Sequence, residues 1–117
     1  MEYMAENQFE AIKRFDNNNR EYWSSRDLAR VLEYPDYRKF LNVIDKAKVA
    51  CENSGEVIHN HFVHMDEMVQ IGSGAKRPID TIYLSRYACY LIVQNSDPTK
   101  VVVAKGQTYF AIQTRRQ

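Results

Sequence analysis

The stretch Gly72-Ser73-Gly74-Ala75-Lys76-Arg77-Pro78 combines residue types and spacing that suit phosphate chemistry. Small residues let the backbone approach an anion closely, and adjacent cations supply the charge. A nucleotide-binding P-loop is not met, because that loop needs Gly-Lys-Ser/Thr between a strand and a helix. Here Lys76 runs into Arg77 and Pro78, and a strand-like sequence follows. What remains open is contact with nucleic-acid phosphates without an enclosed pocket, or an exposed turn whose charges only keep it in solution. Further candidate cations are Arg38, Lys39, Lys46, Arg115 and Arg116. His59, His61 and His64 invite a metal reading, since alternate strand positions share a face. No cysteine or paired carboxylate completes a ligand spacing, so exposed loop histidines are expected, with no metal and no cofactor. Ser24, Ser85, Cys51 and Cys89 are assigned to capping or burial, and no histidine lies in a motif suited to activate them. Enzyme activity is not expected.

The elements that must position these residues follow from periodicity and punctuation. Phe9, Ile12 and Phe15 suggest a short strand or a turn of helix, and Asp16-Asn17-Asn18-Asn19 is a turn signal before a returning strand at Glu21-Tyr22-Trp23. Ser24 with Asp27 reads as an N-cap, opening a helix that ends near Tyr34 and is stopped by Pro35. Trp23 and Leu28 are placed to form a hydrophobic staple. Asp36 caps a longer helix with Tyr37, Phe40, Leu41, Ile44, Ala47, Lys48 and Cys51 on its apolar face, and Gly55 lies just past its end. Short helix, proline corner and longer helix loosely follow a helix-turn-helix pattern, although a solvated charged face explains Arg38, Lys39 and Lys46 equally simply.

From Glu56 to Ile71 two readings stand: Phe62, Met65, Met68 and Val69 fit a short helix, while Val57-Ile58 and Phe62-Val63 suit strand fragments. Residues 72–78 read as a loop, and Ile79–Tyr83 as a strand that makes a hairpin with a basic tip. Leu84, Tyr87, Ala88, Leu91 and Ile92 mark a buried helix. Ser96 and Asp97 cap the next helix, with Pro98 at its first position. Gly106 implies close helix approach, onto the Tyr87–Leu91 face. The aromatics Tyr83, Tyr87, Tyr90, Tyr109 and Phe110 are read as core in preference to base-stacking platforms. The expected class is α+β, four or five helices packed around one or two small antiparallel β-hairpins.

Composition sets outer bounds. The formal charge is +1 and 44% of residues are hydrophobic, which fits a globular domain. From Lys76 onward the cations are Lys76, Arg77, Arg86, Lys100, Lys105, Arg115 and Arg116, against Asp80 and Asp97. That bias permits a local positive surface on a nearly neutral molecule. No apolar run is long enough to span a membrane, and Met1–Glu10 lacks a basic start and an apolar core. A cytoplasmic protein with buried free thiols at Cys51 and Cys89 is therefore expected.

The segment from Leu84 to Gln117 closely resembles the bacterial DNA-damage-inducible protein D family. Trp23–Leu28, Lys46-Ala47-Lys48, Cys51–Gly55 and Ile71–Arg77 resemble the same family in the same order. The likeness covers roughly residues 8 to 117. The N-terminal module of that family is similar in turn to the Bro-N domain of viral and phage proteins, many linked to DNA binding. The resemblance implies a flexible N-terminus at residues 1–7 and a Bro-N-like domain at 8–117, with the natural protein continuing beyond Gln117. It implies a role in the DNA-damage (SOS) response, with DNA, single- or double-stranded, as partner. A second implied role is regulation of recombinase filaments on single-stranded DNA, with the recombinase as partner.

Overall fold

The computed structural model describes residues 8–72 and 74–115, and for residues 112–115 the backbone alone. In chain order the elements are α1 (described at residues 8–11), β1 (Arg14–Phe15), β2 (Glu21–Ser24), α2 (Ser25–Val31), α3 (Tyr37–Asn53), a 3-10 turn (Ile58–Asn60), β3 (Phe62–Ile71), β4 (Ala75–Leu84), α4 (Arg86–Gln94) and α5 (Val101–Arg115). The fold is α+β. The two expected hairpins join into one antiparallel sheet of order β1-β2-β4-β3. The β2–β4 pairing of Trp23 with Leu84 and Ser24 with Tyr83 makes that join.

Three helix starts have a local cause. Side-chain oxygens of Ser24, Asp36 and Ser85 accept from the N–H groups of Asp27, Arg38 and Ala88, satisfying donors that a helix leaves orphaned. The end of α2 corrects the expectation that Pro35 stops it. The helix closes at Val31, and Glu33 turns left-handed at φ 63°. There the Glu33 and Tyr34 N–H groups reach the Arg30 and Ala29 carbonyls. Lys100 Nζ, 2.8 Å from the Glu33 carbonyl, then binds this helix end from α5's approach. The start of α5 is also shifted. Asp97 caps a separate turn by accepting from Thr99, and the helix begins at Val101 instead of Pro98.

The core lies between the helices and the root of the sheet, where Trp23, Phe9, Phe40, Phe62, Phe110, Leu28, Ile44, Leu84 and Ile92 are fully buried. Trp23 donates from Nε1 to the Phe9 carbonyl at 3.0 Å and meets Phe110 edge-on at 5.3 Å. Gly106 permits the close approach anticipated for it, but against a different neighbour. A Cβ there would stand 2.9 Å from Phe9 Cζ and 3.2 Å from Val93 Cγ1, not against Tyr87 or Leu91. Cys51 and Cys89 are buried free thiols. No helix among the described residues is long and apolar enough to cross a membrane.

Candidate nucleic-acid interface

β3 and β4 pair without interruption from Phe62–Leu84 to Ile71–Ala75. The helical reading of Phe62–Val69 is thereby overturned: β-branched and aromatic residues on the facing strand favour extended pairing over a helix too short to bury its apolar side. The loop is shorter than expected as well. Ala75, Lys76, Arg77 and Pro78 belong to β4, paired with Ile71, Gln70, Val69 and Met68. Gly72 and Gly74 take positive φ of 40° and 87° at the turn, a conformation glycine adopts at no steric cost. Ser73 lies outside the described residues.

Only the root of this hairpin is covered. Phe62, Thr81, Ile82 and Leu84 are buried, while no described residue from Asp66 to Asp80 is. Five register steps separate the Asp66–Asp80 pair from Ile71–Ala75, so the free arm extends about 17 Å at about 3.3 Å per residue. Pro78 suits its place there. Ile82 directs its N–H away from β3, to Ser25 Oγ at 2.9 Å. By the period of the strand position 78 faces the same free edge, where a missing N–H breaks no ladder bond and blunts further pairing.

The root is held by charge and hydrogen bonds. Arg14 reaches Glu67 at 2.8 Å and Asp27 at 3.0 Å, and Tyr83 donates to Glu67 at 2.5 Å. Burial, reinforced by that carboxylate, pushes the Tyr83 phenol up to about 12. On the other flank Arg26 donates to the Asp80 carbonyl at 2.9 Å, and its guanidinium lies 3.7 Å from the centre of the Tyr37 ring. The arm is thus tied to the N-terminal end of α3, beside Arg38 and Lys39. Ser25 Oγ, fully buried, joins the same corner through Tyr37 at 2.6 Å and Thr81 at 3.2 Å.

Lys76 and Arg77 are exposed, but as neighbours in a strand they point to opposite faces of the ribbon. Lys76 shares its face with Gln70, Met68 and Pro78, and Arg77 shares its own with Val69, Ile71 and Ile79. A single outward-facing basic tip, as the loop reading implied, is not formed. Arg38, Lys39 and Lys46 are exposed on α3. Arg115 ends α5 with its side chain outside the described residues, as is Arg116 altogether.

The family model described as "BRO family, N-terminal domain" matches residues 11–111 of the chain. The chain belongs to the BRO family. It is also similar to DNA damage-inducible protein D of Escherichia coli (strain K12), at 59% identity over 109 residues. That match covers 93% of this chain and 40% of the relative, so the chain spans less than half the relative's length. No solved structure matches at a significant level.

The BRO-family match takes in the whole ribbon and α3, and among the described residues the C-terminal cations Arg86, Lys100 and Lys105 build no second surface. Arg86 is buried, clamping Glu21 through Nε at 2.5 Å and Nη2 at 2.7 Å. Lys100 is bound to the end of α2, and Lys105 is half-buried. Counting charges along the sequence missed this, because a buried bidentate pair and a helix-end lysine carry no local signature. The histidines are dispersed: His59 is exposed, His64 meets Lys48 at 3.0 Å, and His61 Nδ1 meets Ser85 Oγ at 2.7 Å. Among the described residues no group of three His, Cys, Asp or Glu is arranged to hold a metal. The Ser85–His61 contact, with Glu56 3.3 Å beyond on Nε2, was invisible in the sequence. Ser85 Oγ also accepts the Ala88 N–H at 3.1 Å as the α4 cap.

Proposed function

We propose that this BRO-family domain is a non-enzymatic, cytoplasmic nucleic-acid-binding module of the DNA-damage response, acting without a cofactor. The observation that carries the reading is the charge pattern of the arm. Residues 69–77 hold Lys76 and Arg77 and no acidic residue, while Asp66, Glu67 and Asp80 are confined towards the root. Arg38, Lys39 and Lys46 supply a second set of exposed cations. The likeness to a relative named for induction by DNA damage supports the setting. Fluorescence anisotropy with single-stranded and duplex oligonucleotides across a salt series tests it. If all five of these cations meet phosphates, the log–log salt slope on duplex reaches about −4.5, at about 0.9 per contact. Binding in the micromolar range and a slope near zero would both be informative, and the latter would exclude phosphate contact.

A second reading draws on the apolar residues of the same arm. Val63, Met65 and Ile71 on one face of the hairpin and Met68 on the other are each more than 40% exposed, apolar surface that a protein partner would cover. Under this reading the domain binds a recombinase on single-stranded DNA, and binding to that protein is insensitive to salt.

A further inference from the structure

We propose that the β3–β4 arm enters the major groove of duplex DNA tip first, with Lys76 and Arg77 addressing opposite walls. This deepens the nucleic-acid reading above and rests on it. The major groove is about 12 Å wide and about 8.5 Å deep, and it admits a two-stranded ribbon. At about 3.3 Å per residue that depth takes in roughly three residue pairs. The turn itself takes the first part of that depth, so Ile71–Ala75 and Gln70–Lys76 lie within the groove and Val69–Arg77 at its rim. They include every cation of the arm and none of its carboxylates.

The acids stay clear of the phosphates. Asp66 and Asp80 lie five register steps back, about 17 Å from the tip and beyond the groove rim. Asp80 is engaged by Arg26, and Glu67 by Arg14 and Tyr83. The alternation of the strand then acquires a use. On a flat phosphate surface one of the two cations would face solvent, whereas between two groove walls both are occupied. Gln70 beside Lys76 offers amide hydrogen bonding to base edges on one face. Val69, Ile71 and Ala75 beside Arg77 offer apolar contact, suited to thymine methyl groups, on the other.

The test uses the whole 117-residue chain and a labelled duplex of about twenty base pairs. Three measurements are made by anisotropy: single variants Lys76→Ala and Arg77→Ala, duplex whose cytosines carry glucosylated 5-hydroxymethyl groups, and competition by the minor-groove ligand netropsin. Each single variant is expected to weaken duplex binding at least threefold, the filled major groove at least tenfold, and netropsin less than twofold. One silent single variant, undiminished affinity for the glucosylated duplex, or displacement by netropsin overturns the groove assignment while leaving nucleic-acid binding intact. Binding to single strands as tight as to duplex does the same. Absence of binding to either at low salt overturns the proposed function and this inference together.

Discussion

The Arg86–Glu21 pair locks the β4–α4 junction onto β2, and so fixes the root from which the arm projects. Its two partners are unequally covered: the Arg86 side chain is 5% exposed and that of Glu21 24%. Burial alone would weaken the proton affinity of Arg86, but the bonds from Glu21 more than offset it and raise it. Glu21→Ala therefore leaves a charged guanidinium in the interior, 4.9 Å from the Trp23 ring, and is expected to cost about 3–5 kcal/mol. Arg86→Met keeps an apolar stem over Trp23 and leaves Glu21 within reach of water, so about 1–2 kcal/mol is expected. Against a total of about 5–15 kcal/mol the first change is severe. Urea unfolding followed by the fluorescence of Trp23, the single tryptophan, should show the Glu21→Ala midpoint lowered by about 2 M. Equal losses for the two variants, or a Glu21→Ala loss below about 1 kcal/mol, would refute the assignment of Arg86 as a buried, paired charge.

Ser25→Ala should cost about 1–3 kcal/mol, because the Ile82 N–H loses its acceptor where β2 no longer flanks β4; chemical denaturation measures it. Both cysteines are buried, and burial raises the pKa of each thiol, most strongly at Cys89. An aromatic disulfide reagent should therefore find no reactive thiol in native protein and both after unfolding. Tyr83 holds its proton more tightly when folded, at about 12. Its contribution to stability is complete below the unfolded value of about 10 and is lost as pH rises from there. Tyr83→Phe should accordingly flatten the alkaline fall in stability without shifting the acid limb.

Capping residues are the part of the fold that is legible directly, since Ser24 and Asp36 act within three residues of their own position, whereas Asp97, expected to cap α5, closes a separate turn. The α3 face was similarly readable, with Phe40, Ile44, Ala47 and Cys51 at helical spacing and all buried. The β3 strand was not. Its residues are exposed along most of their length, so no alternation of apolar and polar residues marks a half-buried strand. The length of the arm follows from a register shared with β4, a long-range pairing that local sequence leaves undetermined. For the same reason the candidate contacts Lys76 and Arg77 read as loop residues in the sequence, and their opposed orientation follows only from the pairing. Arg86 misled for a different reason: whether an arginine belongs to the surface or the interior depends on Glu21, 65 positions away.

The central claim, that the tip of the arm is the nucleic-acid contact, is tested by charge reversal at two places. Duplex affinity and its salt slope are measured for Lys76→Glu with Arg77→Glu, and for Arg38→Glu with Lys39→Glu. All four side chains are exposed, so folding should be unchanged in both variants. The tip pair is expected to lower affinity at least tenfold and to flatten the salt slope by about 2, with a smaller loss for the helix pair. Binding abolished by the helix pair and intact in the tip pair would contradict the account and move the contact to α3.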